Sequence, residues 1–279
     1  MAGGGPQPVF AHLIQVILAR IEIAQRAVFF TVEPPRHRED SHTYMKLYPA
    51  ILAAFLTLLF VPAAAVAGPF DAATAAYQHG DYATAYRLIY PLADQGDATA
   101  QFNLGVMYES GDGVPRNAAA ALKWYRKAAD QGNADAQVNL GLLYAKGVGV
   151  PRNYAEASKW FRKAADQGQS DAQFKLGVAY EKGLGVPRNY AESSKWFHKA
   201  AEQGNPDAQA VLGLLYLTGL GVTRDYVQAH MWLTLAASRS PPGNDLHDGA
   251  IAGRDGVAAR MSGAQITEAQ RLAREWKPQ

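Results

Sequence analysis

One phrase returns four times at a fixed interval of 36 residues: Leu104-Gly105, Leu140-Gly141, Leu176-Gly177 and Leu212-Gly213. The same interval carries Gln101, Gln137, Gln173 and Gln209, then Tyr108, Tyr144, Tyr180 and Tyr216, and later Trp124, Trp160, Trp196 and Trp232. Repetition at this length marks supersecondary units that cannot bury their apolar faces alone and cover them with their neighbours. It points to an elongated binding surface rather than a closed catalytic pocket.

Each unit parses into two helices. In the second, Ala136, Leu140, Leu143 and Tyr144 fall at helical spacing, as do Ala157, Trp160, Phe161, Ala164 and Ala165. Between the stripes lies Lys146 to Asn153, whose glycines can take positive φ and whose Pro151 cannot continue a helix. Asn153 with Glu156, and Asn189 with Glu192, have the spacing of capping boxes. Gly132, Gly168 and Gly204 stand where the second helix should end in a left-handed residue, and Asn205-Pro206 reads as an N-cap and first helical position. No strand is predicted between helices, so the fold class is all-α.

The spaced pattern Ala-x-x-x-Leu-Gly-x-x-Tyr-x-x-Gly-x-Gly-Val-x-x-Asn/Asp-x-x-x-Ala-x-x-Trp-x-x-x-Ala-Ala resembles the Sel1-like repeat, a relative of the tetratricopeptide repeat, in four consecutive units over residues 97–240. The resemblance implies a right-handed α-solenoid of antiparallel helix pairs used for adaptor and scaffold work. Residues 68–96 form a shortened first pair: Tyr77 to Ala85 spans eight positions where Tyr108 to Ala121 spans thirteen, which suits an N-terminal cap. In the fourth unit Thr223 and Asp225 replace proline and asparagine, and Ser240 replaces the glycine stop. Residues 241–279 then read as a loop and an amphipathic capping helix from Ser262, with Ile266, Ala269, Leu272, Ala273 and Trp276 on one face.

Ahead of the array, Met45-Lys46 precedes 21 uncharged residues, Leu47 to Ala67, ending Ala65-Val66-Ala67. Residues 45–67 resemble a secretory signal cut after Ala67, giving a periplasmic or secreted product. The alternative is an uncleaved signal anchor, since such a run can cross a bilayer core of about 30 Å. Residues 1–44 are expected to be a non-structural leader or a mis-assigned start, with translation beginning at Met45. Charges at Arg20, Glu22 and Arg26 make Phe10 to Phe30 a poor membrane span.

Charge gives no long-range field. Residues 1–67 hold five of the 27 Lys and Arg and four of the 25 Asp and Glu, leaving 22 against 21. That balance argues against nucleic acid or an anionic membrane as partner. Absence of cysteine removes disulfides, thiol chemistry and an acylated anchor, so no stable membrane insertion is expected after cleavage. The Gly-x-Gly-Val-Pro-Arg loops lack the Gly-Lys-Ser/Thr of a phosphate loop. His79, His198, His230 and His247 have no metal-ligand spacing. Glu109 and Glu181 lie two repeats apart, too far for a shared glycosidic bond. No catalytic, cofactor or metal residue is nominated, and the chain reads as non-enzymatic.

The four tryptophans, each four before an alanine, read as inter-helix packing rather than a stacking ladder. Lys123, Arg126 and Lys127 read as a solvated face, with Arg126 paired to Asp130 and His198 in the slot of Arg126 and Arg162. By the resemblance, first helices line the concave side. That places Phe102, Val106, Glu109 and Ser110 there, with Asp135, Val138, Leu142 and Lys146 from the second unit. The third adds Asp171, Phe174, Val178, Glu181 and Lys182. Val106, Leu142 and Val178 can equally pack within the superhelix. The mixture suits an extended peptide or a helix from a protein partner. The function expected is an exported scaffold or adaptor; the alternatives are a secreted factor binding a host protein, or an envelope hydrolase or polysaccharide-secretion component.

Overall fold

The computed structural model describes residues 68–278, and the leader, signal segment and cleavage point expected from residues 1–67 lie outside them. Twelve α-helices and no strand occur among the described residues. They are α1 Pro69–Gln78, α2 Tyr82–Asp94, α3 Ala98–Ser110, α4 Ala118–Asp130, α5 Ala134–Lys146 and α6 Tyr154–Asp166. Then follow α7 Ser170–Lys182, α8 Tyr190–Glu202, α9 Pro206–Thr218, α10 Tyr226–Arg239, α11 Asp245–Ala258 and α12 Gly263–Glu275. From α1 to α10 each helix packs on the one before and the one after it in the chain, the arrangement of an α-solenoid.

Local chemistry places the helix ends. Asn117, Asn153 and Asn189 each accept a hydrogen bond from the backbone N–H of the third helical residue, at 3.0, 3.1 and 3.1 Å. The reciprocal half of the expected capping boxes does not form. Glu156 and Glu192 instead hold Lys159 and Lys195 at 2.6 and 2.7 Å, because a lysine one turn on competes for the carboxylate. Gly132, Gly168 and Gly204 follow the second helices at φ of 92°, 91° and 88°, as their spacing predicts.

Two contacts fix the stacking. Gly141 faces the ring of Phe161 so closely that a Cβ there would lie 2.6 Å from it, and Gly105, Gly177 and Gly213 stand likewise against Tyr125, Phe197 and Leu233. The Leu-Gly phrase is therefore where the two helices of a unit touch. Across units, buried Gln137 on α5 donates to the Ala129 carbonyl at 3.1 Å and accepts from Gln167 at 2.8 Å. Gln101 and Gln173 repeat that bridge with Gln131 and Gln203. At the end of the array Arg239 stands where the next bridging glutamine would be, and Gln209 Oε1 has no partner among the described residues.

The C-terminal segment holds one helix more than its sequence suggests. Besides α12, whose Ser262–Gln265 capping box forms as expected, α11 is capped by Asn244 and packs on α10. Glycines 249, 253 and 256 hide it from propensity reasoning. Space explains its position. Phe102 packs on Tyr125 and Phe174 on Phe197, but the fourth unit has Ala210 and Leu233 at those places, and Ala250 and Val257 of α11 join them in the core. The last helix packs on α10, with Trp276 edge-on to Trp232 at 6.3 Å and Arg239 4.3 Å from the Trp276 ring centroid.

Candidate binding face

Equivalent positions on α3, α5, α7 and α9 divide into those locked by packing and those left outside. Val138 belongs to the locked set. It is 6% exposed and sits in the core with Leu140 and Phe161, so its place among the surface candidates is corrected. Phe102 and Phe174 are half-buried, their rings 5.9 and 5.6 Å from Tyr125 and Phe197. Val106, Leu142 and Val178 are half-buried against the same cores, whereas Leu214, next in that row, is 46% exposed. The row is thus partly framework and partly surface.

Polar candidates lie at the ends of the same helices. Asp135 and Asp171 are exposed near the helix starts and reach the following unit: Gln169 donates to Asp135 at 3.5 Å and Asn205 to Asp171 at 3.1 Å. Lys146 and Lys182 are exposed in the last turns, with the helix dipole's negative end beside them. Glu181 is half-exposed. Glu109 is held from inside the unit, accepting a 2.6 Å bond from the Tyr125 hydroxyl. Burial, reinforced by that carboxylate, pushes the Tyr125 phenol up, so it remains a donor. Ser110 donates to Asp112 at 2.6 Å, and Tyr77 of the first pair donates to the same carboxylate at 2.7 Å. Asp112 is held below the usual carboxylate range by the Ser110 and Tyr77 hydroxyls, while the Tyr77 phenol is pushed up to about 12, chiefly by that bond.

The second helices behave differently from a stacking ladder. Trp124, Trp160, Trp196 and Trp232 are buried, and Lys127, Lys163 and Lys199 sit 4.4, 4.0 and 4.2 Å from the ring centroids of the first three. Each covered ring is unavailable to a sugar or base. Arg126 is exposed as expected but does not pair with Asp130. It donates to the Tyr144 hydroxyl of the next unit, and Arg162 does the same to Tyr180. Sequence reasoning missed this strap because its partners lie 18 residues apart on different helices, an offset with no local meaning.

Among the described residues, no group of three or more His, Asp or Glu side chains is placed to hold a metal ion. Glu109 and Glu181 lie on α3 and α7, with α4 to α6 between them in the stacking order.

The Sel1 repeat family model matches residues 98–133, 134–169, 170–205 and 206–241, just over half of the chain. The chain belongs to the Sel1 repeat family. A Sel1 repeat protein from Oxalobacter formigenes is 33% identical, with a TM-score of 0.59 over 69% of this chain and 86% of that one. A protective antigen present in uropathogenic Escherichia coli strains, displaying an SLR fold, is also 33% identical; its TM-score is 0.50 over 75% of this chain and 52% of that one. No curated protein matches the chain. Sel1 repeat folds are commonly protein-interaction scaffolds, and proteins built from them are generally non-enzymatic. Among the described residues of this Sel1 array no helix is long and apolar enough to cross a membrane.

Proposed function

We propose that the chain is an exported, non-enzymatic scaffold or adaptor that holds a protein or peptide partner along the trough formed by its first helices. The carrying observation is the exposed polar set along the first helices, Ser110, Asp135, Lys146, Asp171 and Lys182, beside the half-buried row Val106, Leu142 and Val178. Lys146 and Lys182 make no hydrogen bond or ion pair among the described residues and can serve a ligand directly, whereas Asp135 and Asp171 each keep one link to the following unit. Apolar groups in a row with charges at both ends suit an extended segment or one helix face. Export rests on the sequence of residues 45–67, and cleavage after Ala67 would leave Gly68 at the N-terminus.

A second reading, a secreted factor that engages a host protein, is favoured by one observation. A solved relative at 33% identity is described as a protective antigen of uropathogenic E. coli.

Site-specific photo-crosslinking in intact cells tests the trough. A crosslinker at Leu142 or Lys146 should capture one discrete partner, whereas one at Lys159 on the second helix should not. Capture only from Lys159 would contradict the reading. A partner encoded by the same cell supports the adaptor; a partner found only with host material supports the second reading. For export, N-terminal sequencing of the mature protein should begin at Gly68, and a mature protein beginning at Ala2 would contradict it.

A further inference from the structure

The strap between units is broken at one junction. Arg126 and Arg162 each donate to the tyrosine 18 residues on, with guanidinium carbons 5.5 Å from the Tyr144 and Tyr180 ring centroids. The third junction has His198 facing Tyr216 in the same slots. Its imidazole is too short to repeat the strap and pairs within its own helix, Nδ1 lying 3.2 Å from Glu202, while the ring keeps the place 5.7 Å from Trp232 that Arg162 has beside Trp196. The Tyr216 hydroxyl has no hydrogen-bond partner among the described residues. Beside these two residues is an open depression lined by His198, Tyr216, Thr223, Arg224, Asp225 and Gln228.

The charge change matches the lost side chain. Asp225 opens α10 where Asn117, Asn153 and Asn189 open the earlier second helices, so this junction has lost a guanidinium and gained a carboxylate. Neighbouring substitutions cancel: the Glu192–Lys195 pair is replaced by uncharged Gln228 and Met231. Arg224 stacks 5.7 Å from Tyr226 as Arg152 and Arg188 stack on Tyr154 and Tyr190, so it belongs to the regular frame. Burial, with the negative charges of Asp225 and Glu202, raises the Tyr216 phenol and keeps it protonated. A neutral phenol can still accept a hydrogen bond, as Tyr144 and Tyr180 do.

We propose that this junction is a receptor for an arginine side chain of a partner protein, which enters between His198 and Tyr216. Its guanidinium donates to the Tyr216 hydroxyl and lies over that ring, with Asp225 and Glu202 supplying the countercharge. Arginine is favoured over lysine because the two occupied slots use a planar fork that bonds and stacks together. The site goes beyond the trough reading and uses different residues, so its failure leaves that reading standing.

Titration of the full chain with the tripeptides acetyl-Ala-Arg-Ala-amide, its lysine analogue and its citrulline analogue, followed by NMR of the His198 and Trp232 side chains, tests this. The arginine peptide should give saturable shifts and bind roughly tenfold more tightly than the uncharged citrulline peptide, as expected for charge-assisted bonds. His198→Arg should fill the slot from within, abolish binding and raise the melting temperature. Asp225→Asn, which keeps an equally good N-cap, should weaken binding while leaving the fold intact. The proposal is overturned if no saturable shift appears, if citrulline or lysine binds as well as arginine, or if His198→Arg binds like the unmodified protein. Concentration-dependent dimerisation that His198→Arg abolishes would assign the arginine to a second copy and overturn the choice of a different partner.

Discussion

Gln167 Nε2 lies 2.8 Å from Gln137 Oε1, joining the end of α6 to the buried first turn of α5. Because Gln137 also donates to Ala129, one side chain ties three successive helices together. Replacing it with leucine fills similar volume but removes both of its bonds, leaving the Ala129 carbonyl only the Gly132 N–H at 3.0 Å and the Gln167 amide only the Lys163 carbonyl at 3.3 Å. Gln137→Leu should lower stability by about 1–3 kcal/mol, the net worth of two lost hydrogen bonds. Urea denaturation checks this, and an unchanged midpoint would contradict the bridge.

Gly141 separates two effects that compete in a helix. Alanine has the better helix propensity by about 1 kcal/mol, but its Cβ would stand 2.6 Å from the Phe161 ring and 3.2 Å from the Ala157 carbonyl oxygen. The overpacking term should win, and Gly141→Ala should destabilise by about 1–3 kcal/mol. Gly249 on α11 has nothing within 4 Å of the same atom, so Gly249→Ala should stabilise by up to about 1 kcal/mol. Opposite shifts in melting temperature are the expected outcome, and shifts of the same sign would contradict it.

Those two glycines also show where sequence stops being legible. Gly141 announces itself because its neighbours recur at a fixed interval, and that regularity carried the helix pairs, the caps and the buried tryptophans. The helix α11 occurs once, has three glycines, and exists because Ala210 and Leu233 vacate space in a distant part of the chain. Burial of Val138, and the Arg126–Tyr144 strap that replaces an expected pairing with Asp130, likewise depend on which helices meet rather than on spacing along either one. The candidate face was read at the level of elements, but the contacts of single side chains required the stacked units.

His230 gives a pH dependence. It is buried on α10, and burial lowers its pKa, with the adjacent Arg254 of α11 acting in the same direction and Asp255 against it. The folded imidazole is therefore neutral where the unfolded one, with its ordinary pKa near 6.5, begins to bind a proton. More protons on the unfolded chain means stability is lost as pH falls through that ordinary value. The melting temperature should decline between about pH 7.5 and pH 5.5, and His230→Leu, using the residue found at the equivalent Leu122, should flatten that decline. A variant as pH-sensitive as the unmodified protein would remove His230 as the cause.

Removing one complete unit tests the array itself most directly. Deleting residues 134–169 joins Asn133 to Ser170, so that Asn133 can cap α7 as it caps α5, and Arg126 meets Tyr180 where it had met Tyr144. If every unit is stabilised only by its neighbours, the shortened protein should keep its helicity per residue by far-UV circular dichroism and unfold cooperatively at a somewhat lower denaturant midpoint. Loss of helicity, or a broad non-cooperative transition, would contradict a solenoid of interchangeable helix pairs.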